Sequence, residues 1–286
     1  MVTRMKIGVL GAGVMGTGVS QVCAQIAEQV VLIDTIPKAL EKAKKEIEKG
    51  LRFQILTKKN NHQSIEIDDI LKKIIFSTNY SLLAEMDYII ENISEDIDKK
   101  NNAYKIMEEI CKPECIFIAN TSAISITKIA SVLQEPKRVI GIHFMNPVPI
   151  KKAAELIKGF HTSLETEQKA KELLRLLNKE FVEVNDFPGF ISNRVLMPMI
   201  NEAIFLLNDK VAEVEDIDWV FKKCFGHTMG PLETADLIGL DTILNSIQVL
   251  YDSFNDSKYR PCPLLKKMVD AGLYGMKSGK GFYQYI

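Results

Sequence analysis

The chain has 286 residues, 47% of them hydrophobic and 26% charged, with a net charge of -1. That length suits one large domain or two, and the near-neutral balance gives no reason to expect nucleic acid or a membrane surface as a partner. Five scattered cysteines (Cys23, Cys111, Cys115, Cys224 and Cys262) suggest neither a disulfide framework nor a metal cluster, so a reduced, cytoplasmic setting and no metal are expected.

Residues 7–27 carry no charge and are long enough to span a bilayer. They also hold five glycines together with Thr17, Ser20, Gln21 and Gln25, so strand, turn and helix account for them better. The first strand, residues 5–10, begins almost at once, which leaves no room for a signal peptide.

That strand runs into Gly11-Ala12-Gly13-Val14-Met15-Gly16, followed by a helical pattern over 17–28 and a second β-branched run over 30–33 that ends on Asp34. Strand, G-x-G-x-x-G, helix, strand and acid, with the acid 23 positions after the first glycine, form the dinucleotide fingerprint in its required context. Gly11 permits the tight turn, Gly13 lets backbone approach a pyrophosphate on the helix N-terminus, and Gly16 lets helix and strand pack closely. Asp34 is expected to accept hydrogen bonds from the adenosine ribose and to repel a 2′-phosphate, which favours NAD over NADP.

Residues 37–57 carry apolar side chains at helical spacing, Leu40, Ala43, Ile47, Leu51 and Ile55, with lysines between them. Those lysines read first as a solvated face. With the polar stretch 58–64 and a helix-like segment at 67–74 they form a projecting arm whose basic side is the second place to look for a phosphate-bearing ligand. Further strands are expected at 74–77, 88–93, 115–119 and 139–143, with helices at 97–111 and 126–133. Alternating strands and helices imply a parallel sheet covered on both faces, with ligands beyond the carboxyl ends of the strands. Glu95, Thr121-Ser122 and His143 stand at those ends.

His143 closes the run Val139-Ile140-Gly141-Ile142, and two prolines at 147 and 149 then forbid helix and turn the chain. A returning strand over 153–157 bears Glu155. If the two strands pair, imidazole and carboxylate meet, and such a pair suits a general base that removes a hydroxyl proton. A helix over 166–178 and a strand over 181–184 complete a first domain, residues 1–186. Residues 187–286 read as a second, almost wholly helical domain, with helices at 190–207 (kinked at Pro198), 214–225, 240–251 and 263–270 and a glycine-rich basic tail. About a hundred residues make a marginal core, so packing on the first domain and on a second subunit is expected. His62, His161 and His227 lack metal-ligand spacing and read as surface or structural, and Trp219 as core or interface.

The chain resembles the 3-hydroxyacyl-CoA dehydrogenases, specifically the short 3-hydroxybutyryl-CoA type, over essentially its full length. The motifs that carry the resemblance are GAGVMG (11–16), NTSAISIT (120–127), IGIHFMNPVP (140–149), PGFISNR (188–194), GHTMGPLETADLIGLD (226–241) and KSGKGFYQY (277–285). The resemblance implies an α/β fold, a Rossmann-type doubly wound mostly parallel sheet followed by an all-helical C-terminal domain that forms a homodimer. It implies His143 as catalytic base, Glu155 as its orienting carboxylate, and Ser122 and Asn193 as substrate hydrogen-bonding residues. It implies Asp34, Glu95, Lys100, Asn146 and Lys277 as NAD contacts, and reversible oxidation of a 3-hydroxyacyl thioester to the 3-ketoacyl thioester.

The sequence departs from the family pattern in places. Gly50 stands where members often have a serine that contacts CoA phosphates, Ala123 where serine is common, and Glu91-Asn92-Ile93-Ser94-Glu95 replaces the usual alanine and proline. A subgroup with similar wording belongs to polyketide clusters and oxidises a hydroxyacyl group held on an acyl carrier protein, so that thioester carrier is the alternative to CoA. The 3-hydroxyisobutyrate and 6-phosphogluconate dehydrogenases resemble the layout but use a lysine on the first long helix of the second domain, and residues 190–207 contain none. A structural role like that of the lens lambda-crystallins is the remote alternative, which retention of His143, Glu155, Ser122 and Asn193 opposes.

Overall fold

The computed structural model describes residues 4–57 and 67–285. The polar stretch 58–64, with His62, lies outside the described residues. The chain divides between Asp186 and Phe187 into two units.

The first unit is organised by eight strands: β1 (Lys6–Leu10), β2 (Gln29–Ile33), β3 (Ile74–Ser77), β4 (Tyr88–Glu91), β5 (Ile116–Ala119), β6 (Val139–Phe144), β7 (Ala153–Lys158) and β8 (Glu180–Asn185). They form one sheet in the order β3-β2-β1-β4-β5-β6-β7-β8. Every pairing is parallel except β6 with β7. All residues of β4, β5 and β6 are buried, which is why these segments read as continuous apolar runs with no alternation. The strand order reverses at β1, so the crevice for a ligand opens beyond the carboxyl ends of β1 and its neighbours.

The covering helices are α1 (Val14–Cys23), α2 (Pro37–Thr57), α3 (Ile67–Lys72), α4 (Ile97–Ile110), α5 (Ile126–Ala130) and α6 (Leu164–Leu176). On α2 the expected stripe of Leu40, Ala43, Ile47 and Leu51 is buried in the core with Val19, Val30 and Ile74. Ile55, at the end of that stripe, is exposed, as are Phe53 and Leu56. Local chemistry sets the helix starts: the Asp96 carboxylate accepts from Asp98 N and Lys99 N at the head of α4, and Ser163 accepts from Thr166 N at the head of α6.

The second unit consists of α7 (Ser192–Asn208), α8 (Val214–Cys224), α9 (Pro231–Ile238), α10 (Leu240–Phe254) and α11 (Pro263–Asp270). Helix α9 was not among the segments expected from periodicity. It is short, and Pro231 at its first turn and the Glu233 carboxylate returning to Gly230 N define its start. Pro198 lies inside α7.

The glycine-rich tail is tied down by two buried aspartates. Asp236 accepts from Phe282 N, Tyr283 N and the Tyr285 hydroxyl. Asp218 accepts from Leu232 N, Glu233 N and the Tyr283 hydroxyl. Trp219 lies outside this unit's core, with 55% of its surface exposed. His161 and His227 pack edge-on against Phe160 and Phe221. No helix among the described residues is long and apolar enough to cross a membrane.

Candidate active site

The glycine fingerprint sits at the tip of β1. Gly11 has φ +96° and donates its N–H to Ile33 O at 2.7 Å, a conformation that disfavours any side chain. A Cβ on Gly16 would lie 1.8 Å from the Gly11 carbonyl oxygen, whereas a Cβ on Gly13 would meet nothing within 4 Å. Open space therefore stands over Gly13, the N-cap of α1, and no side chain caps that helix. Uncapped amides facing open space suit an anionic group.

Asp34 follows β2. One of its oxygens accepts from Ala12 N at 2.7 Å and the other from Ile36 N at 2.8 Å. A carboxylate has about four acceptor positions, so this anchoring leaves capacity for ribose hydroxyls. A cleft of about 580 Å³ runs from Gly11 and Gly13 past Asp34, walled by Ile36, Tyr80 and Ile93. The arrangement fits an adenosine diphosphate moiety lying from the helix N-terminus to the acid.

Beyond β4 and β5 the polar groups form a connected set. Lys100 is fully buried, and its ammonium holds the equally buried Glu91 carboxylate at 2.8 and 2.9 Å. Burial pushes the Glu91 carboxyl above its ordinary range, against the pull of the Lys100 ammonium. The Lys100 ammonium also lies 3.8 Å from the Glu95 carboxylate. One Glu95 oxygen accepts from the Thr121 hydroxyl at 2.5 Å and from the amides of Ser122 and Ala123 at 3.0 and 2.9 Å. Lys100, expected to touch the cofactor, meets these carboxylates, and Glu95 fixes the loop that carries Ser122.

The turn after β6 reverses the chain, and β7 returns antiparallel with His143 directly opposite Glu155. Cross-strand partners project to the same face, and the His143 Nδ1 and Glu155 Oε2 atoms stand 2.8 Å apart with both residues buried. A carboxylate at that distance favours the tautomer with hydrogen on Nδ1.

Two further residues brace the strand tips and were not singled out in the sequence. Asn120 Nδ2 donates to Asn92 Oδ1 at 2.6 Å, and Asn120 Oδ1 accepts from Phe144 N at 3.1 Å. This clamp joins the ends of β4, β5 and β6. An asparagine directly after each of two fully buried strands was the available signal.

Asn146 is exposed on the turn after β6. Asn193 is buried in the first turn of α7. Lys277, in the tail of the second unit, forms a close ion pair with Asp241.

A phosphate-ready helix terminus, a ribose-ready acid and a buried His–Glu pair at the carboxyl ends of a doubly wound sheet define a dinucleotide-dependent oxidoreductase. The chain belongs to the 3-hydroxyacyl-CoA dehydrogenase family. Residues 6–187 match the model of that family's NAD binding domain, and residues 189–285 match its C-terminal domain.

Among relatives, a probable 3-hydroxybutyryl-CoA dehydrogenase of Bacillus subtilis is 46% identical over 98% of this chain and 97% of its own length. A 3-hydroxybutyryl-CoA dehydrogenase of Bradyrhizobium diazoefficiens is 44% identical over 98% of this chain and 95% of its own. The crystal structure of (S)-3-hydroxybutyryl-CoA dehydrogenase from Ralstonia eutropha superposes with a TM-score of 0.90 at 40% identity, covering 99% of this chain and all of that one. A 3-hydroxyisobutyrate dehydrogenase of Mycobacterium tuberculosis, at 14% identity and a TM-score of 0.59, shares the fold alone.

Proposed function

We propose that the protein interconverts a short 3-hydroxyacyl-CoA and its 3-ketoacyl-CoA, with NAD as hydride carrier and His143 as general base. The observation that carries the reading is the buried 2.8 Å contact of His143 Nδ1 with Glu155. NAD, when bound, accepts the hydride from C3 or returns it. Amides at the head of α1 hold its pyrophosphate, and Asp34 holds the adenosine ribose and disfavours a 2′-phosphate.

His143 Nε2 takes the proton from the 3-hydroxyl as the C–H bond breaks, and Glu155 stabilises the imidazolium so formed. In the reverse direction the imidazolium returns that proton to the carbonyl oxygen. General-base assistance of this kind is worth about a hundred- to ten-thousandfold, and alignment of substrate and cofactor supplies more.

Ser122 and Asn193 hydrogen-bond the oxygen at C3, and Asn146 and Lys277 contact the cofactor. Glu95 and the buried Lys100 act on the cofactor side by fixing the Ser122 loop. A second copy of the chain packs on the second unit, where Trp219 and Phe225 are exposed, which light scattering checks by returning twice the 32.2 kDa chain mass.

The test is NADH oxidation at 340 nm with acetoacetyl-CoA and with acetoacetyl carrier protein at equal concentrations. Turnover on the CoA thioester at least as fast as on the carrier protein supports the reading. Turnover on the carrier protein alone assigns the tethered substrate instead, and no turnover on either overturns the oxidoreductase role.

A further inference from the structure

Lys179 is a buried cation whose ammonium, among the described residues, donates to backbone carbonyls. It lies between α6 and β8 and is 8% exposed, with its Nζ donating to Val148 O and to Lys151 O at 2.5 Å each. Burial depresses its pKa, no carboxylate among the described residues pairs with it, and the nearby Cys23 thiol on α1 is itself fully buried and pushed up to about 12, so it is neutral. A cation without a countercharge is costly to bury, so its position calls for a reason other than filling space.

The reason lies in the turn it grips. Ile150 N and Lys151 N both donate to Pro147 O, which makes residues 147–151 a single helical turn whose later carbonyls point away from its own amides. The ammonium caps that carbonyl end, where positive charge is favoured. Val148 is buried on the other side against α1, where a Cβ on Gly18 would approach its side chain to 3.1 Å. Glu180 N donates to Lys152 O, so the residue next to Lys179 also holds the turn. The turn is therefore clamped between the cofactor helix and the start of β8, and it carries Asn146 three residues after His143.

We propose that Lys179 is a positioning residue for the dehydrogenase: its ammonium fixes the 147–151 turn and thereby presents Asn146 to the nicotinamide end of the cofactor. The inference rests on the Asn146 cofactor contact proposed above, set at the nicotinamide end because the proposed base His143 lies three residues earlier. It separates the two ends of NAD, because Lys179 acts on the turn that follows His143, whereas Asp34, after β2, holds the adenosine ribose.

The experiment compares Lys179→Met, Lys179→Arg and Asn146→Ala, with kcat/KM for NAD and the inhibition constant of ADP-ribose, which lacks nicotinamide. Lys179→Met is expected to lower kcat/KM for NAD about 10- to 100-fold with ADP-ribose inhibition within twofold of the parent. Lys179→Arg, which keeps the charge, recovers at least a third of the lost activity on a logarithmic scale. Asn146→Ala shows the same split, and the Lys179→Met/Asn146→Ala double variant is no worse than the poorer single variant.

Equal weakening of NAD and ADP-ribose, or no effect of Lys179→Met where Asn146→Ala has one, overturns the inference. No effect of Asn146→Ala removes instead the cofactor contact on which it rests. Should Lys179→Met fail to fold, Lys179→Gln, which removes the charge but keeps a donor, replaces it: a threefold or larger loss with NAD against unchanged ADP-ribose supports the role, and unchanged kinetics sink it.

Discussion

Replacing Glu155 with glutamine keeps the shape of the buried pair and removes its charge. The carboxylate lies 2.8 Å from His143 Nδ1, with its side chain 5% exposed. The amide oxygen of glutamine still accepts from Nδ1–H, so what is lost is the extra attraction to an imidazolium, which exists only once the hydroxyl proton has been taken. Hydrogen bonds to charged groups contribute about 1.5–3 kcal/mol, and about 1.4 kcal/mol is a factor of ten in rate. Glu155→Gln should therefore lower kcat about 10- to 150-fold, leaving NADH affinity and the melting temperature nearly unchanged. The assay is the initial rate of NADH formation from 3-hydroxybutyryl-CoA and NAD, with NADH binding followed by fluorescence. A kcat within threefold of the parent, or a loss confined to KM, would refute the reasoning that the carboxylate stabilises the protonated base.

The last two glycines of the fingerprint should fail in different ways. A Gly16→Ala side chain meets the Gly11 carbonyl at 1.8 Å, so denaturant titration should record a stability loss of about 1–3 kcal/mol; Gly13→Ala has free space, so it should keep its stability and lose NADH affinity to the methyl group that occupies the phosphate position. Asp34→Ala should cost more with NAD than with NADP, and an equal loss in kcat/KM with both would remove the ribose role. Lys100→Met leaves the Glu91 carboxylate buried without its partner at 2.8 Å, at a cost of about 3–5 kcal/mol in urea unfolding. The Glu91→Gln/Lys100→Met double variant should recover much of that, and strict additivity would mean the pair is not coupled.

The β-sheet was legible because its strands are short apolar runs separated by turns and amphipathic helices, and period alone finds them. The His143–Glu155 pairing was legible for a related reason: Pro147 and Pro149 leave the chain little choice but to turn, and a returning strand places residue 155 opposite residue 143. Lys100 was harder to place, since a lysine among polar residues in 97–110 gives no sign that it is buried on Glu91. The Asn92–Asn120 clamp and the Lys179 grip on the 147–151 turn join residues 28 or more apart in sequence, and no local pattern announces such contacts. Helix α9 was missed because Gly230-Pro231 reads as a turn, whereas proline at the first helical position begins a helix.

The measurement that bears most directly on the account is the rate of NADH oxidation with acetoacetyl-CoA by the parent protein and by His143→Gln. The account predicts turnover by the parent and a loss of about a hundred- to ten-thousandfold in the variant, with NADH affinity within a few fold. Undiminished turnover by His143→Gln would contradict it.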